Sequence, residues 1–339
     1  MAMTYDSWGS AADRFDGSLC LGIDLGTTNS CVGIWHVERN HVKILKNRVD
    51  RGRTTPSVVR FDPSNQQVVV GHKAIELETW KPVENTIRSV KRLVGQKFDS
   101  KATEVAKQYA SYVLKPTAQG NVALEVTRGG KKVHVEPEEV AACILRELKA
   151  SAEALFHGKT VFDNAVITVP AYFSDAQRKA TLNSAYRAGF KTVRLLNEPT
   201  AAAIAYGLFL SGRKLVTVFD FGGGTLDVSV LRIEDGKFEV LGIGGNRNLG
   251  GDDITNLLMD HVLKTLKKDR HNRTRAQLNK AYLVNLRRKV EKAKVELSEN
   301  DCVNIVLPDL GDGPTVTFPL SRHKLEKLGD PIWKEYAFF

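Results

Sequence analysis

Ile23-Asp24-Leu25-Gly26-Thr27-Thr28 and Phe219-Asp220-Phe221-Gly222-Gly223-Gly224 match in kind at nearly every position, though about two hundred residues separate them. Each closes an apolar, β-type run, Leu19 to Asp24 in one case and Leu215 to Asp220 in the other. Each is followed by a second such run, Cys31 to Trp35 and Leu226 to Ile233. Two runs around a small-residue turn read as a hairpin. One strand–loop–strand unit present twice implies a duplicated architecture. A strand that ends in Asp and turns through Gly and Thr gathers backbone N–H groups and hydroxyls at one point. Its glycines let that backbone approach an anion, and the aspartate adds a hard oxygen ligand for Mg²⁺. Two such loops facing across a cleft would hold a nucleoside triphosphate and its metal. A single loop would pass as an ordinary hairpin; the duplication and the matched aspartates favour phosphate. No GxxxxGK[ST] and no GxGxxG in dinucleotide context occurs, which disfavours the usual nucleotide folds.

Between and beyond the hairpins the pattern is helical. Pro137-Glu-Glu-Val opens a helix expected to reach Phe156, Ser174 with Gln177 forms a capping-box pattern, and Gly189 closes that second helix. Val166 to Val169 is a short strand between them, and Asn197-Glu198-Pro199 opens a third helix. Phe238 to Ile243 reads as a strand ended by Gly244-Gly245, and Leu257 to Lys268 and Leu278 to Leu297 as helices. Strands alternating with helices give an α/β class.

The 339 residues suffice for about two domains. A 42% hydrophobic, 26% charged composition excludes a disordered or collagen-like chain. The net charge is +10, and Val262 to Lys294 alone, with twelve Lys/Arg and two Asp/Glu, accounts for it. That stretch holds only Tyr282 as an aromatic, so a strand-binding nucleic-acid groove is disfavoured. Cys20, Cys31, Cys143 and Cys302 form no CxxC pair, which argues against zinc or a disulfide framework and for a reducing compartment. The first residues carry Asp6, Asp13 and Asp16 and no apolar run, unlike a secretory leader, and no stretch approaches ~18 consecutive apolar residues. The expectation is a soluble, cytoplasmic, monomeric protein without nucleic-acid or membrane partners.

Gly22-Ile-Asp-Leu-Gly-Thr-Thr-Asn-Ser-Cys-Val-Gly33, Ala165-Val-Ile-Thr-Val-Pro-Ala-Tyr-Phe173, Asn197-Glu-Pro-Thr-Ala-Ala-Ala-Ile-Ala-Tyr-Gly207 and Val218-Phe-Asp-Phe-Gly-Gly-Gly-Thr-Leu-Asp227 occur in that order. Asn248-Leu-Gly-Gly-Asp-Asp253 and Glu291-Lys-Ala-Lys-Val-Glu-Leu-Ser298 follow. Together they resemble the nucleotide-binding domain of the seventy-kilodalton heat-shock chaperones (the DnaK family) over roughly residues 18 to 328. The resemblance implies an actin-like (ribonuclease-H-like) ATPase fold with two duplicated lobes, each with an inner and an outer subdomain, around a nucleotide cleft. Lobe I would span 18–210 with its outer subdomain at about 53–135, and lobe II 211–339, incomplete, with its outer subdomain at about 252–322. Residues 1–17 would be a disordered extension.

The resemblance also implies roles. Asp24 and Asp220 would hold Mg²⁺ through water. Gly26, Thr27, Thr28, Asn29 and Gly222, Gly223, Gly224, Thr225 would hold the phosphates of ATP or ADP, with Asp24 and Thr225 also contributing to catalysis. Glu198 and Asp227 would orient or deprotonate the attacking water, and Asp227 with Thr225 is a candidate K⁺ site. Gly250 and Gly251 would approach the ribose and phosphates. Glu291, Lys294 and Ser298, one helix face by spacing, would grip the ribose and adenine. J-domain co-chaperones and nucleotide-exchange factors would be partners, and unfolded clients only with a peptide-binding domain supplied elsewhere.

Two departures stand out. Aligning Gly71-His-Lys-Ala-Ile-Glu with the family places Ile75 where a catalytic lysine is expected, with Lys73 two residues earlier as a substitute. Loss of that charge would slow turnover sharply. The chain also ends at Phe339, where the family continues, so an incomplete second sheet should expose apolar surface and the adenosine pocket should be weak. The leading reading is the ATP-binding and ATP-hydrolysing domain of a chaperone that assists protein folding. The alternative is a catalytically weak, nucleotide-dependent scaffold for co-chaperones, and a sugar or glycerol kinase on the same core is disfavoured.

Overall fold

A computed structural model describes residues 20–36, 41–157, 160–207, 212–269, 278–307 and 315–336. The expected extension at 1–17 and the middle of the basic stretch, 270–277, lie outside the described residues.

Strand β1 (Cys20–Asp24) buries Leu21 and Ile23 and leaves Gly22 and Asp24 exposed, the period-2 alternation of a strand. It pairs antiparallel with β2 (Asn29–His36), which pairs in turn with β3 (His41–Ile44). On its other side β1 runs parallel to β4 (Asn164–Val169), and β4 parallel to β5 (Thr192–Asn197), giving the order β5-β4-β1-β2-β3. Asp24 thus ends a central strand at the edge of the cleft.

Helix α1 (Pro137–Leu155) has Pro137 in its first turn and Glu138 and Glu139 beside the positive end of its dipole. It buries Val140, Ile144, Leu145 and Leu148 against β2 and against α2 (Asp175–Arg187). Each such side chain contributes about 1.5–3 kcal/mol through burial. Both halves of the Ser174/Gln177 capping box are formed at the start of α2, and Gly189 beyond its end has φ +89°, a left-handed value. Residues 55–135 add two three-stranded sheets: Val68–Val70, Val58–Phe61 and Thr86–Arg88, then Lys131–Val135, Val122–Arg128 and Val113–Pro116. Phe61, Ile87 and Leu124 from these sheets join Ile144 and Ile167 in one continuous core.

Helix α3 (Glu198–Ala205), with Pro199 in its first turn, lies against both β5 and β6 (Lys214–Phe221) and so touches both inner sheets. β6 opens the second hairpin with β7 (Leu226–Glu234), and β8 (Lys237–Asn246) completes an antiparallel sheet in the order β6-β7-β8. The glycine pair does not end β8. Gly244, Gly245 and Asn246 stay in register with Val228, Asp227 and Leu226, because the ladder to β7 holds them. One face of this sheet is open: Leu215 is 70% and Phe219 55% exposed. Helices α4 (Gly251–Asp269) and α5 (Lys280–Glu296), the hairpin Cys302–Leu307/Val316–Ser321 and α6 (Arg322–Tyr336) enclose a second core around Leu258, Met259, Leu286 and Val290. Among the described residues no helix is long and apolar enough to cross a membrane.

Candidate functional site

The two matched loops meet across the cleft. A Cβ on Gly223 would strike Thr28 Oγ1, and one on Gly224 would lie 2.6 Å from Thr27 Cγ2, so only glycine fits where the second loop faces the first. Gly222 N–H donates to Thr225 O (3.0 Å), which closes the second turn. The start of α4 is tied onto it: Gly251 N–H donates to Gly222 O (3.0 Å) and Asp252 N–H to Gly223 O (2.8 Å). Gly26, Thr27, Thr28, Asn29, Gly222 to Thr225, Gly250 and Gly251 are thereby gathered in one place.

Four carboxylates converge behind these loops. Asp24 Oδ1 accepts from Thr168 Oγ1 (3.1 Å), and Asp227 Oδ2 from Tyr172 Oη (3.1 Å), while buried Asp227 Oδ1 has no hydrogen-bond partner among the described residues. Glu198 Oε1 accepts from Lys91 Nζ at 2.6 Å, with the two side chains only 12% and 11% exposed. Burial pushes the Glu198 carboxyl above its ordinary range; Lys91 opposes this, and Asp24 and Asp227 add to it. Asp220 is also raised, by burial first, with Lys91 lowering and Asp24 raising it. Asp227 is raised by burial against the hydrogen bonds of Thr225 and Tyr172, with Asp220 adding repulsion. Four carboxylates crowded around one ammonium favour a further cation.

The donor set suits Mg²⁺: hard carboxylate oxygens, one of them orphaned, beside a glycine cradle shaped for phosphate. Among the described residues no three His, Cys, Asp or Glu groups are close enough to bind one ion directly. An ion held here would therefore keep water in its shell, as Mg²⁺ ordinarily does.

Lys91 was not picked out by sequence reasoning. Lys73 is exposed on the short helix His72–Glu76, and Ile75 on that helix is half-buried. The usable signal was Lys91 set in Val90-Lys-Arg-Leu93-Val94, a charge inside a run whose apolar members are all buried. Its neighbour Arg92 was missed too. Arg92 donates to Gly224 O (2.8 and 3.0 Å) and pairs with Asp253, so one residue of the first lobe clamps both the second loop and α4. Ser89 Oγ donates to Asp252 Oδ2 (2.5 Å) across the same boundary, and Arg287 holds Asp252 Oδ1 (2.6 Å). Burial works against the Asp252 charge, but Arg287, Ser89 and Arg92 keep its carboxyl below the usual range.

Of the three residues expected at the nucleoside end, two are together. Lys294 Nζ pairs with Glu291 (2.8 Å) and donates to Gly251 O (2.9 Å) and Thr255 Oγ1 (3.0 Å); Glu291 also accepts from Thr255. Ser298 lies beyond the end of α5, in a turn and exposed, rather than on the helix face that its spacing implied.

Two lobes with repeated hairpins, joined at a cleft where two glycine-rich loops meet a carboxylate cluster, define the actin-like ATPase fold. The Hsp70 protein family matches residues 20–337, and the chain belongs to that family. It is 41% identical over 316 residues to the chaperone protein DnaK of Akkermansia muciniphila, covering 92% of this chain and 48% of that protein. It is 40% identical over 314 residues to the mitochondrial heat shock 70 kDa protein of Dictyostelium discoideum, covering 91% of this chain and 45% of that one. The chain thus spans about half the length of these relatives and corresponds to a nucleotide-binding domain.

Proposed function

We propose that the chain binds ATP with Mg²⁺ and hydrolyses it as the nucleotide-binding domain of a folding chaperone. The buried Lys91–Glu198 pair, set where the two phosphate loops meet, carries this reading. Thr27, Thr28 and the backbone of Gly222 to Thr225 hold the phosphates, and Lys91 places its charge on the phosphate that is transferred. Glu198 and Asp227, whose raised pKa values mark them as proton acceptors of more than ordinary basicity, orient the attacking water and take its proton. Bound Mg²⁺, held through water by Asp24 and Asp220, supplies charge neutralisation on the phosphates. Glu291 and Lys294 brace Gly251 beside the ribose, and Asp227 with Thr225 is the proposed K⁺ site.

The weak-scaffold alternative rested in part on Ile75, and in this reading Lys91 supplies the cation expected there. J-domain co-chaperones, nucleotide-exchange factors and unfolded clients are the proposed partners of the longer protein. Four free cysteines suit a reducing compartment, for which we propose the cytoplasm; the monomer is likewise proposed. Single-turnover hydrolysis of labelled ATP, run beside an ATP-binding titration, tests the whole reading. Binding with Mg²⁺ and a measurable chemical step are expected; Mg²⁺-independent binding or zero turnover would overturn it.

A further inference from the structure

Ser89 stands immediately before the three-residue helical turn Val90–Arg92, where a cap is expected, yet it does not cap that turn. A capping serine has extended backbone angles and turns its hydroxyl onto the N–H groups that follow. Ser89 instead has φ 54° and ψ 31°, in the left-handed region, and makes no capping bond. That region costs free energy for a residue with a Cβ, whereas glycine enters it freely. The Ser89 hydroxyl goes across the cleft to Asp252 Oδ2 (2.5 Å) at the start of α4. Both flanks of Ser89 are fixed, so the change of chain direction falls on it. Before it, the strand Thr86–Arg88 is paired with Val58–Phe61, Arg88 O accepts from Tyr112 Oη (3.0 Å), and the Arg88 side chain pairs with buried Glu78. After it, Val90 and Leu93 are buried in the core of lobe I, and the turn between them carries Lys91 and Arg92. Asp252 is itself fixed in lobe II: Arg287 holds Oδ1, and the Asp252 N–H donates to Gly223 O of the second glycine loop. The contacts therefore run from that loop through Asp252 and Ser89 to Lys91.

We propose that Ser89 is a positioning residue: Asp252 holds it in the left-handed conformation, and that conformation aims Lys91 into the cleft. The proposal rests on the role given to Lys91 in hydrolysis above. While α4 lies against lobe I, the hydroxyl bond offsets the cost of the backbone at Ser89. Once that bond is lost, Ser89 favours ordinary angles, and the residues next along the chain, Val90 and Lys91, are turned off line. The backbone of one residue thereby makes the aim of the lysine depend on contact between the lobes.

The whole chain is compared as wild type, Ser89→Ala and Ser89→Gly, by single-turnover hydrolysis of ATP and by ATP-binding titration. Alanine keeps the cost of the left-handed region and loses the bond that offsets it. Its turn should be correctly set in about one molecule in ten, so hydrolysis should fall about tenfold. Glycine loses the same hydroxyl but enters that region freely, so its rate should stay within about twofold of the wild type. ATP affinity should change by less than about twofold in both variants, because the lysine acts in the transition state. A slow alanine variant with a fast glycine variant is the expected result, and a serine that merely braced the fold would not give it. Equal slowing by the two substitutions would assign the effect to the hydroxyl bond alone and overturn the proposal. A loss of ATP affinity in Ser89→Ala as large as its loss of rate would mark a general loss of structure and also overturn it. If ATP binds but the wild type does not turn over, the hydrolytic reading fails and takes the proposal with it. A wild-type rate in Ser89→Ala, beside an active wild type, sinks the proposal alone.

Discussion

The two inner sheets carry the same loop on unequal foundations. In lobe I, β1 and β4 run parallel at the centre of a sheet packed under α1, and Leu21, Ala165 and Ile167 belong to a core shared with the outer strands. In lobe II, β6, β7 and β8 form an antiparallel sheet with only a small cluster of Ala203, Ile233 and Phe238 beneath it and Leu215 and Phe219 open to solvent. Yet Asp24 and Asp220 end their strands in the same way, before glycine turns that touch. The comparison separates two demands. Loop chemistry needs only the last residues of a strand and the turn, whereas stability needs what covers the sheet. The lobes also differ in charge: lobe I contributes the cations Lys91 and Arg92, while Asp227 comes from lobe II and both lobes supply metal-type aspartates.

The sharpest way to break that division is to remove the cation. Lys91→Ala should slow the single-turnover step roughly 10³-fold, because a charge on the transferred phosphate is worth several kcal/mol. ATP affinity should change far less, and Lys73→Ala should leave the rate alone. Equal losses in the two variants would return the role to the helix His72–Glu76. The unequal covers predict the next effect. Ile167→Ala, in the fully buried centre of lobe I, should cost about 2–5 kcal/mol in denaturant unfolding, whereas Leu215→Ser on the open face should stay within about 0.5 kcal/mol. A large loss from Leu215→Ser would mean that this face is covered in solution. Smaller again is the comparison of the matched carboxylates. Asp24→Asn and Asp220→Asn should each weaken Mg²⁺-dependent ATP binding about tenfold, as expected for groups that act through metal-bound water. A loss confined to one of them would show that a single loop carries the ion.

Much of this was legible in the chain because it is local. The strand–Gly–strand hairpins, the Ser174 capping box and the Pro137 and Pro199 helix starts are written within a few residues each, and all are present. The misreadings concern residues whose meaning is set at long range. Lys91 acquires its role from Glu198, 107 positions later in the chain, and nothing adjacent to Lys91 announces that partner. Lys73 is suggested because alignment of Gly71-His-Lys-Ala-Ile-Glu with the family sets it two residues before Ile75, although its own side chain is exposed. Ser298 kept the arithmetic of a helix face two residues past the point where α5 ends at Glu296. The Gly244-Gly245 pair reads as a breaker, but the neighbouring strand holds it extended. Arg92, Ser89 and Arg287 belong to a network that exists only once the lobes are together.

The least conspicuous effect concerns Asp227, which is buried in lobe II with one oxygen unpartnered. Its folded-state pKa is raised above the ordinary carboxylate value, chiefly by burial. Between the unfolded value and that higher folded value the folded chain binds more protons than the unfolded one. Stability therefore falls as pH rises through this window, and the full penalty is present above it. Asp227→Asn removes the charge while keeping an oxygen for Tyr172. In the nucleotide-free protein at neutral pH it should raise the thermal midpoint by roughly 1–3 °C, even as it abolishes turnover. The gain should shrink as pH is lowered into the ordinary carboxylate range, where Asp227 is neutral in both states. Asp62, a turn carboxylate whose pKa is lowered by Ser64, has the opposite sign, and its stabilisation is lost as pH falls. Melting curves of the Asp227→Asn and Asp62→Asn variants against pH should therefore diverge in opposite senses from the wild type. A parallel pair would show that Asp227 is not held charged in the buried cleft.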